Sequence, residues 1–98
     1  MISAGSEPVM LQQHNAVPIH SMSELFRGPD GVLYDVHVWG HERADGTWVG
    51  WLEFVSPLGI GLSTDRETTQ SKLEDLSYWA TGLEPIYLEG AFKRAKPS

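Results

Sequence analysis

The sequence predicts a small α+β protein in which a short antiparallel sheet is followed by helices. Three observations support this fold class: a two-residue alternation over 32–39, a reversal signal at Asp45-Gly46 before a second β-rich run, and helical spacing of apolar residues after residue 64. The chain has 98 residues, of which 41% are hydrophobic. This length supports one core, so we expect one domain.

The strongest pattern is a hairpin over residues 32–55. Val32, Tyr34, Val36 and Val38 alternate with other residues and would share one face of a strand. Asp45-Gly46 is typical of a tight reversal, and residues 47–55 return as a second run rich in β-branched and aromatic residues. The sequence Ser56-Pro57-Leu58-Gly59 ends this run, and residues 60–63 predict a short third strand.

A helix is predicted over residues 65–82. Thr64 precedes Glu67 by three residues, which is the spacing of a capping box at a helix start. Within the segment, residues at spacings of three and four would face the sheet, and Gly82 is a suitable terminator. These sheet-facing residues are Leu73, Leu76, Ala80 and Leu83.

A second helix is predicted over residues 85–95. Pro85 suits the first turn, and the basic residues Lys93, Arg94 and Lys96 would lie near the negative end of the helix dipole. Apolar residues recur with helical spacing at Leu88, Ala91, Phe92 and Ala95. A strand remains the alternative to this helix, because the alternate residues Ile86, Leu88, Gly90 and Phe92 would lie on one strand face and Gly90 weakens a helix.

The N-terminal region shows no lasting period. We expect residues 1–18 to be a flexible or loosely ordered segment, with at most an edge strand at residues 8–11, and residues 19–98 to form the domain. Met22, Leu25 and Phe26 have spacings that fit one helical turn, which Gly28-Pro29-Asp30-Gly31 would end.

Composition excludes several classes of partner and chemistry. The net charge of −6 disfavours binding to nucleic acid through phosphate contacts. The absence of cysteine excludes disulfides, thiolate metal sites and thiol nucleophiles. No apolar run is long enough to span a bilayer and no leader pattern is visible, so we expect a cytoplasmic protein that is not bound to a membrane.

No motif for catalysis, cofactor binding or metal binding is visible. His37 and His41 lie on or just after a strand, where a spacing of four puts them about 13 Å apart, too far to share one ion. The chain has no Gly-x-Ser-x-Gly turn, and Gly59-Ile60-Gly61 lacks the rest of a nucleotide-binding loop. We therefore predict no catalytic residue, no cofactor and no metal. Glu53 is open to two interpretations, a pocket carboxylate or a solvent-facing strand residue.

Three tryptophans on the hairpin are the candidate interaction residues. Trp39, Trp48 and Trp51 cannot all project to one side, because Trp48 and Trp51 have opposite parity on the same strand. Tryptophan is enriched in binding hot spots, so an exposed one would indicate an interface. The alternative is that both sheet faces are covered within the chain, one by the predicted helix and the other by the N-terminal segment.

The order of hairpin, short strand and helix, with Tyr34, Asp45-Gly46-x-Trp48 and Thr64, resembles the small sheet-and-helix domain of HicB-type antitoxins. The resemblance spans roughly residues 34–80. The chain departs from that pattern because it lacks the Glu-Ala pair that usually begins those helices and shows no DNA-binding segment after them. The resemblance does not assign the chain to that family.

These observations favour a non-catalytic protein-interaction or assembly module over an enzyme. The expected partner is a protein, and self-association is the simplest case because one self-complementary patch suffices. One alternative is a small hydrolase or isomerase with an unrecognised polar site. Another is an acidic inhibitor of a basic partner, or an antitoxin-like protein.

Overall fold

The computed structural model describes residues 15–98, which form an antiparallel sheet packed against two helices. In chain order the described elements are β1 (Val17–Ser21), β2 (Phe26–Arg27), β3 (Leu33–Glu42), β4 (Trp48–Val55), β5 (Gly61–Ser63), β6 (Thr68–Gln70), α1 (Leu73–Thr81), α2 (Pro85–Arg94) and β7 (Lys96–Pro97). This arrangement confirms the predicted α+β class. The sheet, with seven strands among the described residues, is larger than expected.

Two long central strands, β3 and β4, organise the sheet. They pair antiparallel from Asp35 opposite Val55 to Glu42 opposite Trp48, which confirms the predicted hairpin. Each central strand is bordered by two short strands in succession, β1 and β2 along β3, and β5 and β6 along β4. β7 then pairs with β5, which confirms the predicted third strand and extends the sheet beyond it.

The hairpin turn follows from the Asp45-Gly46 sequence. The N–H of Gly46 donates to the carbonyl of Arg43 at 2.9 Å, and Gly46 has φ of +88°, a conformation that glycine adopts without steric cost. Asp45 accepts hydrogen bonds from both the N–H and the hydroxyl of Thr47. This is the geometry of a type I turn followed by a left-handed glycine, and it recurs at Gly59, where φ is +82°.

The first helix begins later than predicted. The segment 65–72 does not start a helix: Thr68–Gln70 forms β6, and α1 begins only at Leu73. The N–H groups of Thr64 and Glu67 donate to carbonyls of β4, and the Thr64 hydroxyl accepts from the N–H of Leu52 at 3.0 Å. The predicted capping box is therefore wrong. Thr64 and Glu67 instead make hydrogen bonds to the outer edge of β4, whose backbone N–H and C=O groups would otherwise be buried without partners.

The predicted helical turn at Met22, Leu25 and Phe26 is also wrong. The N–H of Met22 donates to the carbonyl of Val36 at 2.9 Å, and Phe26–Arg27 pairs with β3, so sheet pairing overrides the local spacing. β1 begins at Val17, two residues before the predicted start of the domain. The suggested edge strand at residues 8–11 lies outside the described residues.

One face of the sheet carries the hydrophobic core. We call it the helix-covered face, because both helices pack against it. Its fully buried strand side chains are those of Val36, Val38, Leu52 and Phe54, and Tyr34 joins them at the end of β3. Ala80 of α1 and Ala91 of α2 are buried against this cluster, and the small alanines let both helix backbones lie close to the sheet.

The closest contact between α1 and the sheet is made by Leu76 at two glycines. Gly40 and Gly50 lie directly opposite each other on β3 and β4. A Cβ added to Gly40 or Gly50 would lie 2.7 or 2.6 Å from a methyl carbon of Leu76, so a larger residue at either position would force the Leu76 side chain to shift. Leu76 is 0% exposed, as is Ala80, which confirms the predicted packing of both residues. Leu73, also predicted to face the sheet, is 42% exposed because it is the first residue of the helix.

The second helix confirms the prediction for residues 85–95, and the strand alternative is wrong. Pro85 occupies the start of α2, and Lys93 and Arg94 lie in its last turn. α1 has nine residues and α2 has ten. Neither of these two helices is long and apolar enough to cross a membrane.

A carboxylate joins α2 to the loop between β5 and β6. Glu67, whose side chain is 6% exposed, accepts hydrogen bonds from the Tyr87 hydroxyl at 2.5 Å and from two guanidinium nitrogens of Arg94 at 2.6 and 3.1 Å. Burial by itself would raise the pKa of Glu67, but the hydrogen bonds from Arg94 and Tyr87 and the guanidinium charge outweigh it and lower that pKa. Burial and the neighbouring carboxylate raise the pKa of Tyr87 to about 12.

We predict energetic coupling between Leu76 and Gly50. Leu76→Ala should lower the free energy of unfolding by about 2 to 5 kcal/mol because it leaves a cavity, and Gly50→Ala by about 1 to 3 kcal/mol because its methyl group collides with Leu76. In the double variant the new methyl group occupies part of the cavity, so the combined cost should be smaller than the sum. Urea unfolding measures all three variants.

Two substitutions serve as controls for this prediction. A Cβ at Gly82 would have only ordinary contacts at 3.8 Å, so Gly82→Ala should be nearly neutral. Glu74 is exposed on α1, so Glu74→Ala should also have little effect. Strictly additive costs at Leu76 and Gly50 would contradict the close packing of the helix on the glycines.

We also predict that Glu67 makes stability depend on acid pH. Because its pKa is lowered in the folded state, its contribution is complete above the unfolded-state pKa and is lost as the pH falls through the folded-state value. Between about pH 5 and pH 3 the wild type should therefore lose more unfolding free energy than Glu67→Gln. Urea unfolding across this range measures the difference. Glu74→Gln, at an exposed site, should follow the wild type, and equal slopes for all three proteins would refute the assignment.

Candidate functional site

The second face of the sheet carries the sequence-predicted tryptophans. Alternate residues of the two central strands project to this side, and in the register His37 is opposite Glu53, Trp39 is opposite Trp51, and His41 is opposite Val49. We call these six residues the tryptophan face. All six are half-buried, and both described helices pack on the other side of the sheet.

Trp39 and Trp51 form the centre of the tryptophan face. They are directly opposed across β3 and β4, where cross-strand side chains are about 5 Å apart at Cβ. The indole N–H of Trp39 donates to Oε1 of Glu53 at 2.9 Å, which satisfies the only polar group of that ring. The hydrogen bond fixes the orientation of the Trp39 ring and places a carboxylate beside the tryptophan pair.

Trp48 is not part of this pair. By register it projects to the same side as Gly50 and Leu52, which is the helix-covered face, and it pairs with Gln70 of β6. It lies at the first position of β4 and lines a shallow cavity with Asn15 and Val17. The structure therefore brings together two of the three predicted interaction residues and separates the third.

A row of polar side chains borders the tryptophan pair. Ser21 and Nδ1 of His37 are hydrogen-bonded at 2.9 Å, His37 faces Glu53 across the strands, and Glu53 faces Ser63. Ser63 in turn shares a hydrogen bond of 2.5 Å with Ser98. The sequence could not reveal this row, because its members come from separate strands and only the pairing register aligns them.

The polar row contains a serine, an imidazole and a carboxylate, which are the residue types of a nucleophilic triad. Such a triad needs the acid to orient the base. Within residues 15–98, no hydrogen bond joins His37 to Glu53, whose Oε1 atom accepts from the Trp39 indole, and Ser21 is exposed at the sheet edge. The arrangement therefore acts as a polar border for the tryptophans, with Glu53 half-buried on this face.

The histidines do not form a metal site in the part of the chain that the structure describes. No group of three or more His, Cys, Asp or Glu side chains among residues 15–98 is placed to hold a metal ion. His37 and His41 share the tryptophan face, but Trp39 lies between them. Nδ1 of His41 is buried and has no hydrogen-bond partner within residues 15–98.

Among the concavities of residues 15–98 that lie away from the tryptophan face, two have similar volumes. One, of about 440 Å³, is at the turn between β4 and β5, and its walls are apolar apart from Ser56 and Tyr34. The other, of about 460 Å³, lies between β2 and the helices and mixes apolar side chains with Glu24, Arg27 and Glu89. Sequence reasoning missed both, although the apolar Leu58 and Ile60 beside a glycine turn were a visible signal for the first.

The candidate sites rest on the residues of this chain alone. No family model matches the sequence, and neither a curated protein nor a solved structure matches it significantly.

Proposed function

We propose that this protein is a non-catalytic interaction module that self-associates through the tryptophan face. One observation carries the proposal: Trp39 and Trp51 are directly opposed at the centre of a sheet face on which neither described helix packs. The proposed interface is the tryptophan face, with these two residues at its centre and His37, His41, Val49 and Glu53 around them.

The tryptophan pair supplies the interaction energy in this proposal. Tryptophan buries a large apolar area and is enriched among residues that dominate binding energy near the centre of an interface. The hydrogen bond from Trp39 to Glu53 holds one ring in place before association. Less side-chain entropy is then lost on binding, which favours association.

A second copy of the chain is the partner that this surface fits. A two-fold interface brings the same patch of both subunits together, so the patch has to complement itself. The tryptophan face and its border carry both carboxylates, Asp35 and Glu53, and imidazoles, His37 and His41, so acidic groups of one copy can approach imidazoles of the other. The net charge of −6 makes nucleic acid an unfavourable partner.

The alternative functions have weaker support. The hydrogen bond between Ser21 and His37 is the observation closest to a hydrolase, but within residues 15–98 no hydrogen bond joins His37 to the neighbouring carboxylate of Glu53. The acidic net charge fits an inhibitor of a basic partner, but charge alone names no binding surface. A cytoplasmic location is compatible with self-association and is part of this proposal.

Self-association predicts a measurable effect of Trp51→Ala. Sedimentation velocity from about 1 to 200 µM should show a concentration-dependent dimer for the wild type, and the variant should weaken it by roughly thirtyfold or more because a central hot spot is lost. Circular dichroism and thermal melting establish that the variant is folded. Turnover tests with ester and peptide substrates address the hydrolase alternative in the same preparations.

Tyr78→Ala is the matched control for this experiment. Tyr78 is an aromatic residue on α1 that is 82% exposed and lies outside the proposed interface. Its removal should leave the dimer unchanged. A wild type that stays monomeric over the whole concentration range, or equal weakening by both variants, would refute the proposal.

A further inference from the structure

The apolar cavity at the β4–β5 turn is a second, separate feature. It has a volume of about 440 Å³, and its apolar walls are formed by Val32, Pro57, Leu58, Ile60 and Leu62. Among residues 15–98, no charged side chain lines it. Its volume lies within the range of about 300 to 1,000 Å³ that is common for small-molecule sites.

The rim of this cavity exposes apolar side chains in a fixed position. Leu58 is 87% exposed and Ile60 is 61% exposed. The turn that presents them is closed by hydrogen bonds from Gly59 N–H to the Ser56 carbonyl at 2.9 Å, from Ser56 N–H to the Ile60 carbonyl at 2.9 Å, and from Ile60 N–H to the Ser56 hydroxyl at 3.2 Å. Because these hydrogen bonds already close the turn, a bound molecule would cover apolar surface at a small cost in loop ordering.

Tyr34 is one of two residues with polar side chains, the other being Ser56, that line this largely apolar cavity. It is only 7% exposed, and its ring packs against Phe54 and Phe92. Its hydroxyl makes no hydrogen bond to any residue in the part of the chain that the structure describes. A tyrosine hydroxyl can both donate and accept a hydrogen bond, so Tyr34 offers a ligand one polar group on an otherwise apolar ring.

We propose that this cavity binds a small, uncharged and largely apolar molecule whose one polar group hydrogen-bonds to the Tyr34 hydroxyl. The absence of charged wall residues favours a neutral ligand, since an ion would lose its hydration without compensation. The site is separate from the tryptophan face and does not depend on self-association.

The experiment uses 2-naphthol and naphthalene as probes, which share a ring system and differ in one hydroxyl. Titration of the full chain by methyl NMR should give saturable shifts at Val32, Leu58, Ile60 and Leu62. Tyr34→Phe keeps the aromatic ring, so it should weaken the binding of 2-naphthol by about three- to tenfold and leave the binding of naphthalene unchanged. Equal effects on both probes would remove the assigned role of the hydroxyl.

Two matched substitutions locate the site. Ile60→Glu puts a charge on the rim of the cavity and should weaken the binding of both probes by roughly tenfold or more. Ile86→Glu makes the same change at a residue of α2 that is 74% exposed and distant in the fold, and it should have no effect. Absence of saturation up to about 1 mM, shifts centred on another surface, or equal weakening by both glutamate variants would overturn the proposal.

Discussion

Leu76 of α1 packs onto the paired residues Gly40 and Gly50, and the arrangement of the other elements depends on this contact. α1 has nine residues, too few for a helix that is stable alone, so packing has to hold it in place. The opposed glycines let Leu76 approach the backbone of both central strands. This contact places α1 on one face of the sheet, and the few residues between α1 and α2 place the second helix on the same face.

The two faces of the sheet consequently have different roles. The helix-covered face is filled by aliphatic and aromatic side chains that pack with Ala80 and Ala91. The tryptophan face carries Trp39 and Trp51 between polar neighbours, and the hydrogen bond to Glu53 fixes the orientation of one ring. This arrangement of a central aromatic pair and a polar border is the basis on which we propose a protein interface, since interfaces commonly have an apolar centre and a polar rim.

Hydrogen bonds between distant segments hold the remaining parts of the fold. Glu67 fastens the loop before β6 to Tyr87 and Arg94 of α2, and the Thr64 hydroxyl pairs with the backbone of β4 where β5 has ended and β6 has not begun. The turn at Gly59 is closed in the same local way, which gives the apolar cavity a rigid rim. The cavity lies just beyond the end of β4 and shares no lining residue with the tryptophan face.

The sequence by itself determined the central hairpin, its Asp45-Gly46 turn, the short strand after Pro57 and the second helix, because alternation, turn residues and helical spacing are local signals. It also placed Trp48 and Trp51 on opposite faces by parity. Only the tertiary structure decided that residues 68–70 form a strand, that β1 and β2 border β3, and that Trp39, Trp51 and Glu53 meet. These outcomes depend on which strand edges need partners and on the register between distant strands, and neither is encoded in the spacing of neighbouring residues.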